Sequence, residues 1–115
     1  MSALGKKVRI TTRGPMIMCP ACKHGHLFNQ KGLVPDGAPS WEFNGDGDKP
    51  TFSPSMLVFT PDHTDSEGVH HERMTICHSF VRDGKIEFLS DCRHDMAGTT
   101  VDLPDFPGQD QYHTQ

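Results

Sequence analysis

The sequence holds no apolar run of 18 residues, so no segment reads as a membrane-spanning helix. Its start, Met1-Ser2-Ala3-Leu4-Gly5-Lys6-Lys7, carries no apolar stretch after the lysines, and the expectation is a chain without a secretory signal that stays in the cytoplasm. Hydrophobic residues are scarce, 34% of 115 residues, with a single Trp and a single Tyr. A core built from them is thin, and at this length it is one domain. Positive charge is also in short supply. The net charge of −4 argues against a protein that binds nucleic acid by neutralising phosphates. Motifs with a ready chemistry are missing too: there is no HExxH, no GxSxG and no phosphate-cradling glycine loop. Asn44-Gly45-Asp46-Gly47-Asp48 resembles the opening of a calcium loop, but Lys49 stands where that loop needs glycine and Ser55 where it needs a bidentate glutamate.

Turn formers are abundant. Eleven glycines and nine prolines make up about one residue in six, which favours short strands over long helices. Val8–Thr12 alternates as a strand, Met16-Ile17-Met18 leads into Cys19-Pro20-Ala21-Cys22, and His26-Leu27-Phe28 follows. Gly32–Ser40 reads as a loop, Trp41–Asn44 as a strand, and Ser55–Thr60 as a short apolar strand between two prolines. Residues 61–73 are polar throughout and are expected to form an exposed, mobile loop. Asp83-Gly84 joins TICHSFVR to KIEFLSD, a two-residue hairpin signal that sets Arg82 opposite Lys85, Val81 opposite Ile86 and Cys77 opposite Ser90. One face of that hairpin then carries Cys77, Ser79, Val81, Ile86 and Phe88, and the other Ile76, His78, Phe80, Leu89 and Asp91. Thr99–Leu103 is a last strand. The reading is a mostly β, single-domain, antiparallel zinc-ribbon-like fold over residues 1–104, with a polar C-terminal tail over 105–115.

Four cysteines, at 19, 22, 77 and 92, stand beside eight histidines. In a reducing compartment this set points to metal binding rather than disulfides. Cys19-x-x-Cys22 has zinc-knuckle spacing, and the chain lacks the βαβ context of a redox CxxC. Cys77 is the third ligand by its place on the apolar hairpin face, and Cys92 and His94, at the same parity, compete for the fourth position. His26, four residues past Cys22, is an additional candidate for this ion or for a second site. His78 points to the other face, diagonally near Asp91, where a His–carboxylate pair would orient the imidazole for catalysis or support. His63, His70, His71 and His113 fall in polar segments and read as solvated. Lys6, Lys7, Arg9 and Arg13 read as a solvated strand edge.

CPACKHGH, WEFNGDGDKPTFSPSMLV and CHSFVRDGKIEFLSDCRHDMAGTTVDLP together resemble a family of small zinc-binding proteins of tailed phages and prophages. Its members are often labelled ammonia monooxygenase or anaerobic dehydrogenase, labels without mechanistic support. The resemblance implies a compact zinc-binding β domain. It stresses Cys19, Cys22, His26, Cys77, His78, Asp91 and His94, often has another residue at the position of Cys92, and so favours His94 as fourth ligand. The expected function is a zinc-stabilised binding module on a host or phage protein, without catalytic residues and in the host cytoplasm. A zinc-dependent, peptidase-like hydrolase and a nucleic-acid-binding zinc ribbon are the alternatives. His26, His78 and Asp91 would then mark a functional surface.

Overall fold

A computed structural model describes residues 2–107. Its strands are β1 (Ser2–Leu4), β2 (Val8–Thr11), β3 (Gly14–Met18), β4 (Gly25–Leu27), β5 (Glu42–Phe43), β6 (Phe52–Ser53), β7 (Met56–Thr60), β8 (His63–Thr64), β9 (His70–His71), β10 (Met74–Arg82), β11 (Lys85–Phe88) and β12 (Thr100–Asp102). No helix occurs among the described residues, and the fold is a small, mostly β domain. Nothing there is long and apolar enough to cross a membrane as a helix. Strands β1-β2-β3-β4 form one antiparallel sheet and β12-β11-β10-β7 another, with β5–β6 and β8–β9 as two-stranded ribbons. Val8 and Ile17 from the first sheet and Met56, Cys77, Val81, Ile86 and Phe88 from the second meet in one buried core with Phe28, Phe52 and Leu103.

The hairpin takes the register its turn dictates: Arg82 pairs with Lys85, Val81 with Ile86, Phe80 with Glu87 and Ser79 with Phe88. Asp83 (φ 52°) and Gly84 (φ 76°) supply the two left-handed residues of a type I′ turn. β11 ends at Phe88, so Cys77 and Ser90 never become ladder partners. A bulge in β10 between Thr75 and Cys77 resets the pairing with β7, so that Cys77 meets Val58 and His78 meets Leu57. Cys77 and Val58 then face the core, while His78 and Leu57 face outward.

Residues 61–73 depart from the expected mobile loop. β7 and β10 are sheet neighbours, so the chain between them returns on itself as the β8–β9 ribbon, closed by the Gly68 amide donating to the Asp65 carbonyl (3.0 Å). His63 and His71 stack there at 4.9 Å, and both remain exposed. In the calcium-like segment the side chains serve the turn itself: the Asn44 Oδ1 accepts from the Asp46 and Thr51 amides, and the Asp46 carboxylate from the Asp48 and Lys49 amides. Those two amides hold the Asp46 carboxyl below its ordinary pKa.

Two of the four N-terminal cations hold the chain, while Lys6 and Arg13 are exposed. Lys7 Nζ donates to the Leu103 carbonyl, and Arg9 donates to the Phe106 carbonyl (3.1 Å) while stacking on the Phe106 ring. Phe106 is buried, so the expected polar tail begins with an anchored aromatic; residues 108–115, His113 included, lie outside the described residues.

Candidate functional site

Two groups of reactive side chains sit back to back on β10. On the inner side, the knuckle turn between β3 and β4 presents two thiols. Its geometry follows from local bonds: the Lys23 amide donates to the Cys19 carbonyl (3.0 Å), the Cys19 amide to the His24 carbonyl (3.0 Å), and the Cys22 amide to the Cys19 sulfur (3.3 Å). Lys23 takes a left-handed conformation (φ 64°) to close it. The strand that follows carries His26 inward, opposite Ile17.

The donor atoms of Cys19, Cys22, His26 and Cys77 all lie within 4.8 Å of one another, and those of Cys77, Cys92 and His94 form a second group of the same span. Cys77 belongs to both. Hydrogen bonds from Cys22 and then Cys77 hold Cys19 far below the ordinary thiol range against the opposing effect of burial. Donating to Cys19 pushes Cys22 up to about 11 and also raises Cys77. Three sulfurs this close cannot all ionise without a cation between them.

The fit to a metal ion is specific for the first group. His26 is 5% exposed, and its Nε2 is buried with no hydrogen-bond partner. A buried imidazole nitrogen beside three thiols is costly as it stands and becomes satisfied on binding an ion. His94 Nε2 is buried and unpartnered as well, but its Nδ1 accepts the Met96 amide (3.2 Å). That bond leaves the neutral ring's proton on Nε2, so His94 has no lone pair there to offer. The Cys92 sulfur is bonded to the backbone of His78. The geometry brings His26 to the knuckle beside Cys19, Cys22 and Cys77, while Cys92 and His94 form a second group with Cys77.

On the outer side the arrangement is different in kind. His78 Nδ1 lies 3.1 and 3.3 Å from the two carboxylate oxygens of Asp91. Its Nε2 lies 3.2 Å from the hydroxyl of Ser55. Asp91 accepting from Nδ1–H fixes the tautomer in which Nε2 accepts the Ser55 hydroxyl proton. A hydroxyl, an imidazole that can take its proton and a carboxylate that orients the imidazole form the constellation of an activated serine nucleophile. The chain order is serine, histidine, aspartate, and geometry rather than order defines such a set.

Each member is placed by a structural neighbour. Ser55 directly precedes β7 and is diagonal to His78 across the β7–β10 pair. Its carbonyl accepts the Trp41 indole N–H (3.1 Å), and Trp41 packs edge-on against Phe28, which stacks on Phe52 at 4.0 Å. Asp91 sits in the turn after β11, closed by the Cys92 amide donating to the Leu89 carbonyl (3.2 Å). The His78 side chain is 26% exposed and that of Asp91 53%, so the set opens to solvent.

Sequence reading paired His78 with Asp91 but missed Ser55. A serine has no distinctive spacing to a histidine 23 positions away. The signal that was present is the parity of Ser55 and Leu57 on one strand face, usable only once β7 is known to pair with β10.

A family model described as "Bacterial ubiquitination-like system serine protease (BubE)" matches residues 4–89, and the chain belongs to that family. The match contains Ser55 and His78 and ends two residues before Asp91. Comparison with curated proteins and with solved structures yields no match. The family description overturns the expected function. A non-enzymatic binding module on a host or phage protein conflicts with a protease family, and neither the zinc-dependent hydrolase nor the nucleic-acid-binding ribbon is supported. The physical reason is that Ser55 comes from the segment before β7 and His78 from β10, so no linear motif announces their contact.

Proposed function

We propose that the chain is a serine protease acting within a bacterial ubiquitination-like system, with Ser55 as nucleophile, His78 as general base and acid, and Asp91 as the group that orients His78. The observation that carries this reading is the contact of Ser55 Oγ with His78 Nε2 at 3.2 Å while Asp91 holds the opposite nitrogen. The Ser55 oxygen attacks the scissile carbonyl as its proton passes to Nε2, and the C–N bond breaks when Nε2 returns that proton to the leaving amine. Water then hydrolyses the acyl-serine by the same exchange. Asp91 stabilises the imidazolium between the two proton transfers. Membership of the family supports the reaction class and a place in a ubiquitination-like system.

The inner cluster has a separate role in this reading. Cys19, Cys22, Cys77 and His26 hold one zinc ion, closed by four protein ligands as in structural sites. A tetrahedral ion with bonds of about 2.0–2.3 Å spaces its ligand atoms about 3.5–3.8 Å apart, within the span of this group. When bound, the ion supplies cross-linking between the first sheet and β10, not chemistry on the substrate. Its closed ligand set leaves no position for a reacting water.

The test is a fluorophosphonate probe, which bonds phosphorus to an activated serine oxygen as fluoride leaves and the proton passes to the histidine. Intact-mass and peptide mapping should place one adduct on Ser55, lost in Ser55→Ala and His78→Ala. In parallel, a ubiquitin-like protein of the same bacterial system should be cleaved by the parent and not by Ser55→Ala. Labelling elsewhere, or cleavage that survives Ser55→Ala, overturns the assignment.

A further inference from the structure

The β10–β11 ladder stops one rung early, at the triad histidine. Ser79 pairs with Phe88, so His78 would pair next with Leu89. Half of that rung forms: the Leu89 amide donates to the His78 carbonyl (2.9 Å). The other half is missing, because the Leu89 carbonyl instead accepts the Cys92 amide and the chain turns away. The His78 amide would be left without a partner in a half-buried strand. The Cys92 sulfur fills the gap. It accepts from the His78 amide (3.1 Å) and donates to the His78 carbonyl (3.1 Å).

This substitution of a thiol for a ladder carbonyl is what joins the turn to the strand. Asp91 lies in that turn, and the Arg93 amide ties its far side to the Ile76 carbonyl (3.0 Å). His78 and Asp91 are therefore set against each other through bonds made by Leu89, Cys92 and Arg93 to consecutive parts of β10. Of these only Cys92 uses a side chain, so it alone depends on residue identity. We propose that Cys92 is a positioning residue for the triad: its thiol, bridging both backbone groups of His78, fixes the Asp91 turn over the imidazole. The inference rests on the reading of Ser55, His78 and Asp91 as catalytic, and assigns Cys92 a role distinct from metal binding.

Without the thiol, the Asp91 turn loses its fixed height above β10, and the His78 ring loses its fixed partner. Misplacement of about 1 Å at such a contact costs about 100-fold in rate. Cys92→Ala in the full chain should thus slow fluorophosphonate labelling of Ser55 by about 10–100-fold, in the maximal rate rather than in probe affinity. Zinc content should stay at the parent value. The downfield proton resonance of a His78 Nδ1–H held by Asp91 should broaden or vanish. Cys92→Ser, whose hydroxyl also accepts and donates, should restore most of the rate and the resonance.

A Cys92→Ala protein that labels at the parent rate overturns the proposal. So does one that loses its zinc stoichiometrically, since Cys92 would then be a ligand. If Cys92→Ala does not fold, Cys92→Ser and the parent's own His78 amide decide: rapid exchange of that amide with solvent deuterium, or a serine variant as slow as a Ser55 knockout, overturns it. Ser55→Ala separates the two readings. Labelling that persists in Ser55→Ala defeats the catalytic reading itself, whereas labelling that needs Ser55 yet ignores Cys92 defeats only this one.

Discussion

Cys77 and His78 are neighbours in the chain and belong to different chemical worlds. Cys77 is 1% exposed among the thiols of the knuckle, while the His78 side chain is 26% exposed beside a serine and a carboxylate. Strand alternation alone puts one into the core and the other onto the surface. The inner group joins two sheets and consists of rare residue types at diagnostic spacing. The outer group is made of common residues that acquire meaning only from distance. In a protein this thin in hydrophobic residues, the proposed ion would cross-link the two sheets directly beneath His78. Rigidity at Cys77 is rigidity one peptide bond from His78.

The widest separation between the two groups should come from substitutions in each. Cys77→Ser or removal of the metal by a chelator should abolish the cooperative thermal transition, because metal binding and folding are linked in thin-cored domains. Labelling of Ser55 should disappear with it. His78→Ala should instead fold and keep one zinc, yet lose about 10⁴-fold or more in hydrolysis. Calorimetry, metal analysis and probe labelling on the same samples check both. A Cys77→Ser protein that melts and labels like the parent breaks the comparison at its root.

Asp91→Asn sharpens the outer half. The amide no longer enforces the tautomer that leaves Nε2 free to accept, so hydrolysis should fall by about 10⁴-fold with zinc content and melting temperature nearly unchanged. Retained activity would show that the His78–Asp91 contact is an ordinary surface pair.

The inner half is sharpened by two histidines. His26→Ala should remove the metal outright, whereas His94→Ala should retain it with at most a 10–100-fold loss of affinity. Titration against a competing chelator measures this. The reverse outcome returns the fourth position to His94, the ligand that the family resemblance favoured over Cys92.

Backbone packing gives smaller effects that touch neither group. A methyl group on Gly47 would lie 1.9 Å from the Leu4 carbonyl oxygen, so Gly47→Ala should cost about 1–3 kcal/mol by denaturant unfolding. Gly84→Val, at φ 76° and 3.1 Å from the Asp48 carbonyl oxygen, should cost about 1 kcal/mol or more. A change near zero in the second would contradict the hairpin register on which both faces of β10 depend. The smallest expected effect lies at the ribbon tip, where His71, together with the Val69 and Glu67 amides, holds the Asp65 carboxyl below its ordinary value. A carboxyl lowered by folding stabilises above its unfolded pKa, about 3.9, and that contribution is lost as pH falls through the lowered folded value. The protection of the Val69 amide, its exchange measured relative to the intrinsic rate at each pH, should therefore fall in that acidic window.

Local chemistry was enough for much of this protein. Two left-handed positions at Asp83-Gly84 fixed the hairpin and the alternation of β10 and β11, and CxxC spacing fixed the knuckle, because both involve residues within a few bonds of one another. The proposed preference for His26 over His94 is not local. It rests on which ring nitrogen the Met96 amide occupies and on how β4 is carried against β10. Ser55 was further out of reach, since β7 and β10 are joined by the 61–73 segment, and the bulge between Thr75 and Cys77 decides which of their residues share a face. Sequence determines which residues can ionise, ligate or turn. Only the pairing of strands distant in the chain decides which of them meet, and here it brings a serine and an aspartate within 3.3 Å of the two ring nitrogens of one histidine, on the outer face of the sheet whose inner face carries the thiols.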